Sequence, residues 1–243
     1  MTPEPATLCI GCWQQLHLPV PLRGPLSMPL RMFGIRPSRM NPNTCTICEM
    51  AFTKIMKARA VTIDATVMFA DLRGYTALSQ TIERQEMMSL LDMFYDDCSA
   101  AIWRYDGLLN KTLGDAVLAI FNFPVKQPDH AAQALLAARA IQDRFRERHD
   151  QLVQAIGAKH ADIGIGIGID CGETNFGEFG HLHRDLTAIG TVVNLAARAQ
   201  GAAKAGEILV TGAVRERLGD LIAGDGRDYA LKGFDQPVKL FSA

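Results

Sequence analysis

Apolar positions recur with two periods after residue 60, and each period predicts one kind of element. The apolar run at residues 62–71 predicts a first strand. Apolar residues then recur at steps of three and four, which predicts a long helix with that face buried and Gly107 at its end. That face comprises Met87, Leu91, Phe94, Cys98, Ala101, Ile102 and Tyr105. On this face Cys98 is predicted to be a small core residue.

Two further strands are predicted at residues 108–111 and 116–122, joined at Gly114-Asp115. A second helix opens at Pro128-Asp129, with Asp129 as its N-cap and His130 in its first turn. We interpret His130 as structural rather than as a metal ligand. The apolar face of this helix comprises Leu135, Ala138, Ile141 and Phe145.

Isoleucine and glycine alternate through residues 163–169, which predicts a strand with isoleucines on one face. Glycines on the other face allow a neighbouring element to approach closely. The order strand, helix, two strands, helix, strand predicts an α+β fold with a ferredoxin-like βαββαβ core. A further helix at 190–202 and strands near 207–210, 228–231 and 237–241 follow that core.

The first sixty residues differ in composition from the rest. Eight of the eleven prolines lie at or before Pro42, and residues 1–48 carry four arginines against one acid, Glu4. We therefore divide the chain into a Pro/Cys-rich segment at 1–48, an amphipathic connecting helix at 49–60 and a domain at 61–243. The helix carries Met50, Phe52, Ile55 and Met56. It either pairs with its twin in a dimer or caps the core of the domain.

Two C-x-x-C pairs, Cys9/Cys12 and Cys45/Cys48, mark the N-terminal segment. Four thiolates at this spacing can complete a tetrahedral metal site, for Zn²⁺ or for an iron–sulfur cluster. The gap between the pairs is longer than the roughly 15–20 residues usual in zinc ribbons. The alternative is a partly ordered tail whose cysteines bind nothing. We predict a metal or redox module that regulates the domain behind it.

Composition narrows the choice of function class. Of the 243 residues, 48% are hydrophobic, which is ample for a core, and the net charge of −1 gives no reason to expect nucleic acid or an anionic membrane as partner. No apolar run approaches the roughly 20 residues that span a bilayer. The N-terminus lacks the features of a secretory signal. We expect a cytoplasmic protein, in which six cysteines are thiols or metal ligands rather than disulfides.

The strongest candidate chemistry lies where the first strand ends. Its apolar run stops at Asp71, and a glycine turn leads into a helical pattern. A carboxylate at a strand end, beside free backbone N–H groups, suits a metal-bound polyphosphate. Asp115 supplies a second carboxylate just before the strand at 116–122. Two such aspartates are the minimum for a two-metal phosphoryl site.

Asn194 and Arg198 stand four residues apart and so project from one face of the predicted helix. Their neighbours are apolar, and no acidic residue occurs from Gly190 to Gly206. We interpret Arg198 as positioned for a ligand anion.

Three motifs together resemble the catalytic domain of class III nucleotidyl cyclases over about residues 61–243. They are Phe69-Ala70-Asp71-Leu72-Arg73-Gly74-Tyr75-Thr76, Lys111-x-x-Gly114-Asp115 and Val193-Asn194-Leu195-Ala196-Ala197-Arg198. The resemblance implies that Asp71, Asp115 and the Leu72 carbonyl hold two Mg²⁺ or Mn²⁺ ions per active site. It also implies that amides around Gly74, Tyr75 and Thr76, together with Lys232, contact phosphates.

In that family the metal aspartates come from one subunit and the base-, ribose- and transition-state residues from the other, so the resemblance implies a head-to-tail homodimer. Arg198 would stabilise the transition state, and Asn194 would orient the ribose. Base choice rests on Lys111, which can donate to adenine N1, and on Thr187, which can accept from the adenine amine; the family often has Asp at the Thr187 position.

ATP is therefore the expected substrate and 3′,5′-cyclic AMP the expected product. The rival interpretations are a guanylate cyclase, a cyclase-like domain that binds nucleotide without turnover, and a ferredoxin-like RNA-binding module. The near-neutral charge and the absence of a basic, aromatic-bearing strand disfavour the last of these.

Overall fold

A single eight-stranded sheet is the centre of the computed structural model, which describes residues 6–58, 60–156, 163–180 and 185–243. The strands are β1 (Val61–Arg73), β2 (Leu108–Leu113), β3 (Ala116–Phe121), β4 (Gly164–Phe179), β5 (Asp185–Ile189), β6 (Ile208–Thr211), β7 (Arg227–Tyr229) and β8 (Val238–Ser242). The α-helices of the described chain are α1 (Ile10–Leu16), α2 (Met28–Met32), α3 (Thr46–Ala58), α4 (Tyr75–Leu78), α5 (Arg84–Arg104), α6 (His130–Ile156), α7 (Thr191–Ala202) and α8 (Gly212–Leu218).

The strand order is β2-β3-β1-β4-β6-β8-β7, with β5 paired to β4. Strands β1 to β4 are mutually antiparallel where they pair, and α5 and α6 connect them in the order strand, helix, two strands, helix, strand. This is the ferredoxin-like core, and the predicted α+β fold is confirmed. In the β1–β3 register Asp71 lies opposite Ala116, so the ends of both strands meet beside the β2–β3 turn.

The two faces of β1 pack against different helices because side chains alternate along a strand. Met68, Ala70 and Leu72 lie in the main core with residues of α5 and α6. Val67 lies on the opposite face, in a cluster with Val192 of α7. Asp71 shares that second face, which is therefore the face that positions the candidate site.

The predicted buried face of the first long helix is largely confirmed. Phe94, Cys98 and Ile102 of α5 are fully buried, and Cys98 is a core residue. Leu90 is buried as well, whereas Met87, Leu91 and Tyr105 are only partly buried at the edge of the core. The face is thus rotated slightly from the one that the spacing predicts. All four predicted apolar residues of α6 are buried: Leu135, Ala138, Ile141 and Phe145.

The role predicted for Gly107 needs correction. Helix α5 ends at Arg104, and the residue with left-handed backbone is Asp106, at φ 54°. The Gly107 N–H donates to the Ile102 carbonyl at 2.9 Å. A Cβ at Gly107 would lie 2.6 Å from Cε1 of Phe121. Glycine is needed here for close packing against β3, not for an unusual φ.

The alternating strand behaves as predicted. Ile165, Ile167 and Ile169 are buried in the main core, and the glycines between them lie on the face that α7 covers. A Cβ at Gly168 would lie 2.0 Å from the backbone nitrogen of Gln200 and 2.3 Å from the carbonyl oxygen of Ala196. Glycine in β4 therefore allows the backbone of α7 to rest directly on the sheet.

Four elements of the described chain are absent from the sequence prediction: the short strand β5 and the helices α1, α2 and α8. His130, predicted to be structural, is buried, with Nδ1 at 2.7 Å from Thr66 Oγ1 and Nε2 at 2.8 Å from Arg217 Nη1. Within the described ranges, no helix combines the length and the apolar character that crossing a bilayer requires.

Residues 6–58 fold as short helices around the four cysteines, which cluster with Leu22. Helix α3 covers most of the helix predicted at 49–60. Residue 59 and the side chains of Ile55 and Met56 lie outside the described residues. Phe52 of α3 packs against Phe123 and Phe176, with ring centroids 4.5 and 5.7 Å apart, and so joins the N-terminal segment to the sheet.

Candidate active site

Asp71 lies half-buried near the end of β1, on the face that α7 covers. Its Oδ2 accepts a hydrogen bond from Gln200 Nε2 at 2.8 Å and lies 3.4 Å from Arg73 Nη1. Burial raises the pKa of Asp71, and the charge of Asp115 raises it further, while Arg73 and Gln200 partly oppose the shift. A carboxylate whose pKa is raised in this way gains most when a cation binds beside it.

The β2–β3 turn brings Asp115 to the same corner. The Leu72 N–H donates to the Asp115 carbonyl at 3.0 Å, which ties the turn to β1. The Tyr95 hydroxyl of α5 donates to the Gly114 carbonyl, and Gly114 has φ 66°, a conformation that favours glycine. The two predicted metal aspartates are thus brought together by backbone and side-chain contacts.

The turn after β1 also follows the sequence prediction. Gly74 has φ 81° and precedes the short helix α4, whose Leu78 N–H donates to the Gly74 carbonyl at 3.0 Å. Tyr75 is half-buried, and Thr76 is exposed. These residues lie directly beyond Asp71 and Leu72, at the edge of the carboxylate corner.

Lys111 and Thr187 both lie where β2 approaches β5. The Lys111 ammonium pairs with the Asp185 carboxylate. The Thr187 hydroxyl lies 3.4 Å from Asn110 Oδ1, and the Asn110 side chain donates to the Leu186 carbonyl at 3.0 Å. The predicted base-recognition residues therefore form one polar group across two strands.

Asn194 and Arg198 face away from the carboxylates of their own chain. In α7 the buried residues are Val192, Ala196 and Ala199, which pack on the sheet, while Asn194 and Arg198 are exposed on the opposite side. Neither side chain forms a hydrogen bond or ion pair with another described residue. The structure does not bring this pair together with Asp71 and Asp115 within one chain.

Lys232 follows Leu231, which packs with Ala199 of α7. It is exposed in the connection between β7 and β8, at the far end of the sheet from β2. Among the described residues it has no hydrogen-bond or ion-pair partner. Like Asn194 and Arg198, Lys232 forms no hydrogen bond or ion pair with Asp71 or Asp115 of its own chain.

The four N-terminal cysteines converge as their spacing predicts. Cys9, Cys12 and Cys45 are buried, Cys48 is half-buried, and their four sulfur atoms lie within 4.8 Å of one another. Hydrogen bonds within the cluster lower the pKa of the Cys45 thiol, and burial raises that of Cys12. These residues could hold a metal ion.

The sequence analysis did not identify the residues whose side chains contact the predicted site residues and position them. Gln200 contacts Asp71 across 129 residues of sequence, and its only signal is a polar side chain four positions from the buried Ala196. Tyr95 and Asp185 gave no signal that distinguishes them from surface residues. Each becomes visible only when α5 or β5 is placed beside its partner strand.

Comparison with known proteins identifies the family of this chain. The family described as "Adenylate and Guanylate cyclase catalytic domain" matches residues 58–240. An adenylate cyclase of Anabaena cylindrica is 29% identical over 197 residues, which cover 80% of this chain and 38% of that protein. The chain thus spans little more than a third of this curated relative.

Two crystal structures share the fold. The adenylyl cyclase CyaB from P. aeruginosa superposes with a TM-score of 0.69 at 31% identity, over 76% of this chain and 95% of that chain. The guanylyl cyclase Cya2 superposes with a TM-score of 0.68 at 25% identity, over 75% and 92%. The family match runs from β1 into β8 and includes both aspartates and the α7 pair. The chain belongs to the family of adenylate and guanylate cyclase catalytic domains.

Proposed function

We propose that this chain is an adenylate cyclase that converts ATP into 3′,5′-cyclic AMP and pyrophosphate, with its active sites at the interface of a homodimer. The observation that carries the proposal is the division of the site residues within one chain. Asp71 and Asp115 meet at one corner, while Asn194 and Arg198 point outward without a partner in the described chain. A second copy, placed head to tail, supplies each corner with the missing pair.

The carboxylate corner fits divalent cations. Asp71 and Asp115 are close enough for one charge to raise the pKa of the other carboxyl, and oxygen ligands suit Mg²⁺ and Mn²⁺. Two such ions, held by these carboxylates and the Leu72 carbonyl, would neutralise the triphosphate and lower the pKa of the ribose 3′-hydroxyl.

The remaining roles belong to side chains and amides of the two protomers. The backbone N–H groups around Gly74, Tyr75 and Thr76 bind phosphate oxygens, and Lys232 of the other protomer neutralises the triphosphate. Asn194 orients the ribose. The 3′-hydroxyl loses its proton to water, and O3′ bonds to the α-phosphorus as the bond to the pyrophosphate oxygen breaks. Arg198 stabilises the charge that develops on the α-phosphoryl group.

Adenine is selected by Lys111 and Thr187. The Lys111 ammonium donates to adenine N1, and guanine would present an N–H donor at that position, which leaves two donors unpaired. The Thr187 hydroxyl accepts from the adenine amine. Asp185 favours GTP as the second candidate substrate, because its carboxylate beside Lys111 could accept a hydrogen bond from guanine.

The proposal includes a separate metal site at the four N-terminal cysteines. The four cysteines bind either Zn²⁺ or an iron–sulfur cluster, because their sulfurs converge at the centre of the N-terminal segment. We place the protein in the cytoplasm, where ATP is available and thiols stay reduced.

The test is incubation of the purified protein with ATP or with GTP in the presence of Mn²⁺, with Asp71→Ala as the control. We expect cyclic AMP from the wild type, less cyclic GTP, and neither product from the variant. Faster turnover of GTP than of ATP would mean that the chain is a guanylate cyclase. Binding of nucleotide without formation of either product would mean that it is a non-catalytic regulatory domain.

A further inference from the structure

The N-terminal segment has only a small apolar core of its own. Its buried cluster consists of Cys9, Cys12, Cys45 and Leu22, and the partly buried Val20, Ile35 and Cys48 pack against it. Segments this small usually need a metal or a disulfide to stay folded, because they bury too little apolar surface. The four cysteines form no disulfide with one another. A metal ion bound by their sulfurs would therefore supply the stabilisation that this arrangement needs.

The sulfur positions distinguish one ion from a cluster. Sγ of Cys12 lies 3.4 Å from Sγ of Cys48 and 3.6 Å from Sγ of Cys45, and Sγ of Cys9 lies 3.7 Å from Sγ of Cys48. Four thiolates around one zinc, each at about 2.3 Å, lie about 3.8 Å apart. An iron–sulfur cluster divides its four thiolates between two or four irons, so at least some of them lie further apart. The distances therefore fit a single tetrahedral ion.

The surroundings suit a site with negative charge. One Zn²⁺ with four thiolates carries a net charge of −2, and residues 5–48 contain four arginines and no acid. Backbone N–H groups of Cys12 and Cys45 point at Sγ of Cys9, at 3.3 and 3.2 Å. Such contacts orient thiolates and stabilise them around a metal.

The cysteine cluster is connected directly to β2. Between the two cysteine pairs, the Met40 carbonyl accepts from the Leu109 N–H at 3.2 Å and from Trp103 Nε1 at 2.8 Å. Asn43 donates from Nδ2 to Asp106 Oδ1 at 2.6 Å. The Asn43 carbonyl accepts a hydrogen bond at 2.9 Å from the N–H of Ile10, which lies between Cys9 and Cys12. One short segment thus contacts both the cysteines and the edge strand.

This connection ends at the base-recognition residues. Strand β2 lies at the edge of the sheet, and Leu109 is followed directly by Asn110 and Lys111. Both of those side chains contact β5, on which Thr187 lies. A shift of residues 40–43 would therefore move the strand that carries Lys111.

We propose that Cys9, Cys12, Cys45 and Cys48 bind one Zn²⁺, and that the loaded site holds residues 40–43 against β2 and so fixes the purine-recognition group. The zinc site stands on its own geometry. Its effect on nucleotide recognition rests on the proposed cyclase function.

Metal analysis tests the site without reference to turnover. We expect one zinc per chain, no visible absorption bands, and loss of the zinc in Cys48→Ser. The control is Cys98→Ala, which removes a buried thiol outside the cluster and should keep the zinc. Iron in place of zinc, or a protein purified without any metal, would overturn the assignment.

Hydrogen exchange tests the link to β2. Removing the zinc from the full chain with excess chelator should speed hydrogen exchange of the amides in Leu108–Leu113 by about tenfold or more. Exchange of the amides in Arg227–Tyr229 should change little, because local opening depends on local contacts. Asp106→Gly should do the same with the zinc retained, since glycine tolerates the left-handed backbone there. Asp106→Asn keeps the acceptor oxygen and should behave as wild type.

The same variants connect the site to the nucleotide. Asp106→Gly should weaken binding of an unreactive ATP analogue, and Asp106→Asn should not. Unchanged exchange of β2 after zinc removal, or an equal change throughout the sheet, would refute the link. Because zinc content, exchange and analogue binding need no turnover, a protein without cyclase activity would contradict the proposed function alone.

Discussion

Mixing two inactive variants gives the sharpest test of an active site shared between protomers. Asp71→Ala removes a carboxylate from the β1 corner, and Arg198→Ala removes the guanidinium from the outward side of α7. Loss of a transition-state donor lowers turnover by about 10²–10³-fold. In the proposed mechanism, loss of the carboxylate removes a metal ligand. Each variant alone should therefore retain at most about one per cent of wild-type activity.

The activity expected after mixing follows from random exchange of subunits between the two variants. When equal amounts of the two variants exchange subunits at random, about half of the dimers are mixed, and each mixed dimer has two sites. One of these sites combines the intact Asp71 of one chain with the intact Arg198 of the other. The second site carries both substitutions. The mixture should thus reach about a quarter of wild-type activity.

The assay is cyclic AMP formation after the separately purified variants have been incubated together. Asp71→Ala mixed with Asp115→Ala is the matched control: both residues belong to the same corner, so no mixed dimer has a complete site. If the first mixture stays as inactive as its components, although mixed dimers form, the site lies within one chain and the argument from the orientation of α7 is wrong.

Three further outcomes follow from packing, turn geometry and burial. Gly168→Ala should cost about 1–3 kcal/mol or more in urea unfolding, because its Cβ would meet the α7 backbone; Gly201→Ala, on the same helix with open space around it, should stabilise by about 0.5–1 kcal/mol. Tyr95→Phe should cost about 0.5–1.5 kcal/mol and raise the Mn²⁺ concentration needed for half-maximal activity, because it releases the turn that carries Asp115. Burial lowers the pKa of His130, so the unfolded chain takes up its proton first and stability falls as the pH drops below about 6.5. His130→Gln should remove that part of the pH dependence, and an equal slope in both proteins between pH 7.5 and 5.5 would contradict it.

Much of the sheet could be predicted because its signals are local. The isoleucine–glycine alternation of β4 fixes which face is buried, since side chains on a strand alternate. Asp71 could be placed because an apolar run stops at a carboxylate followed by a glycine turn. The convergence of the cysteines also follows from their paired spacing, although the gap between the pairs is filled by short helices that no pattern predicts.

Other features could not be predicted, because they depend on contacts between distant segments. β5 has five residues and no strong alternation, and its neighbours at 181–184 lie outside the described residues. Gln200 reaches Asp71 only because α7 rests on the glycines of β4. The same packing decides that Asn194 and Arg198 face outward.

The sequence by itself determined the order of the elements, their buried faces and the candidate site residues. Strands and helices have characteristic periods, which can be recognised from the spacing of neighbouring apolar residues. Tertiary structure alone decided which of those residues meet within a chain, which face outward, and how the cysteine cluster connects to β2. The physical reason is that such contacts arise when whole elements pack together, and their partners lie up to 153 residues apart, as Arg217 and Asp64 do.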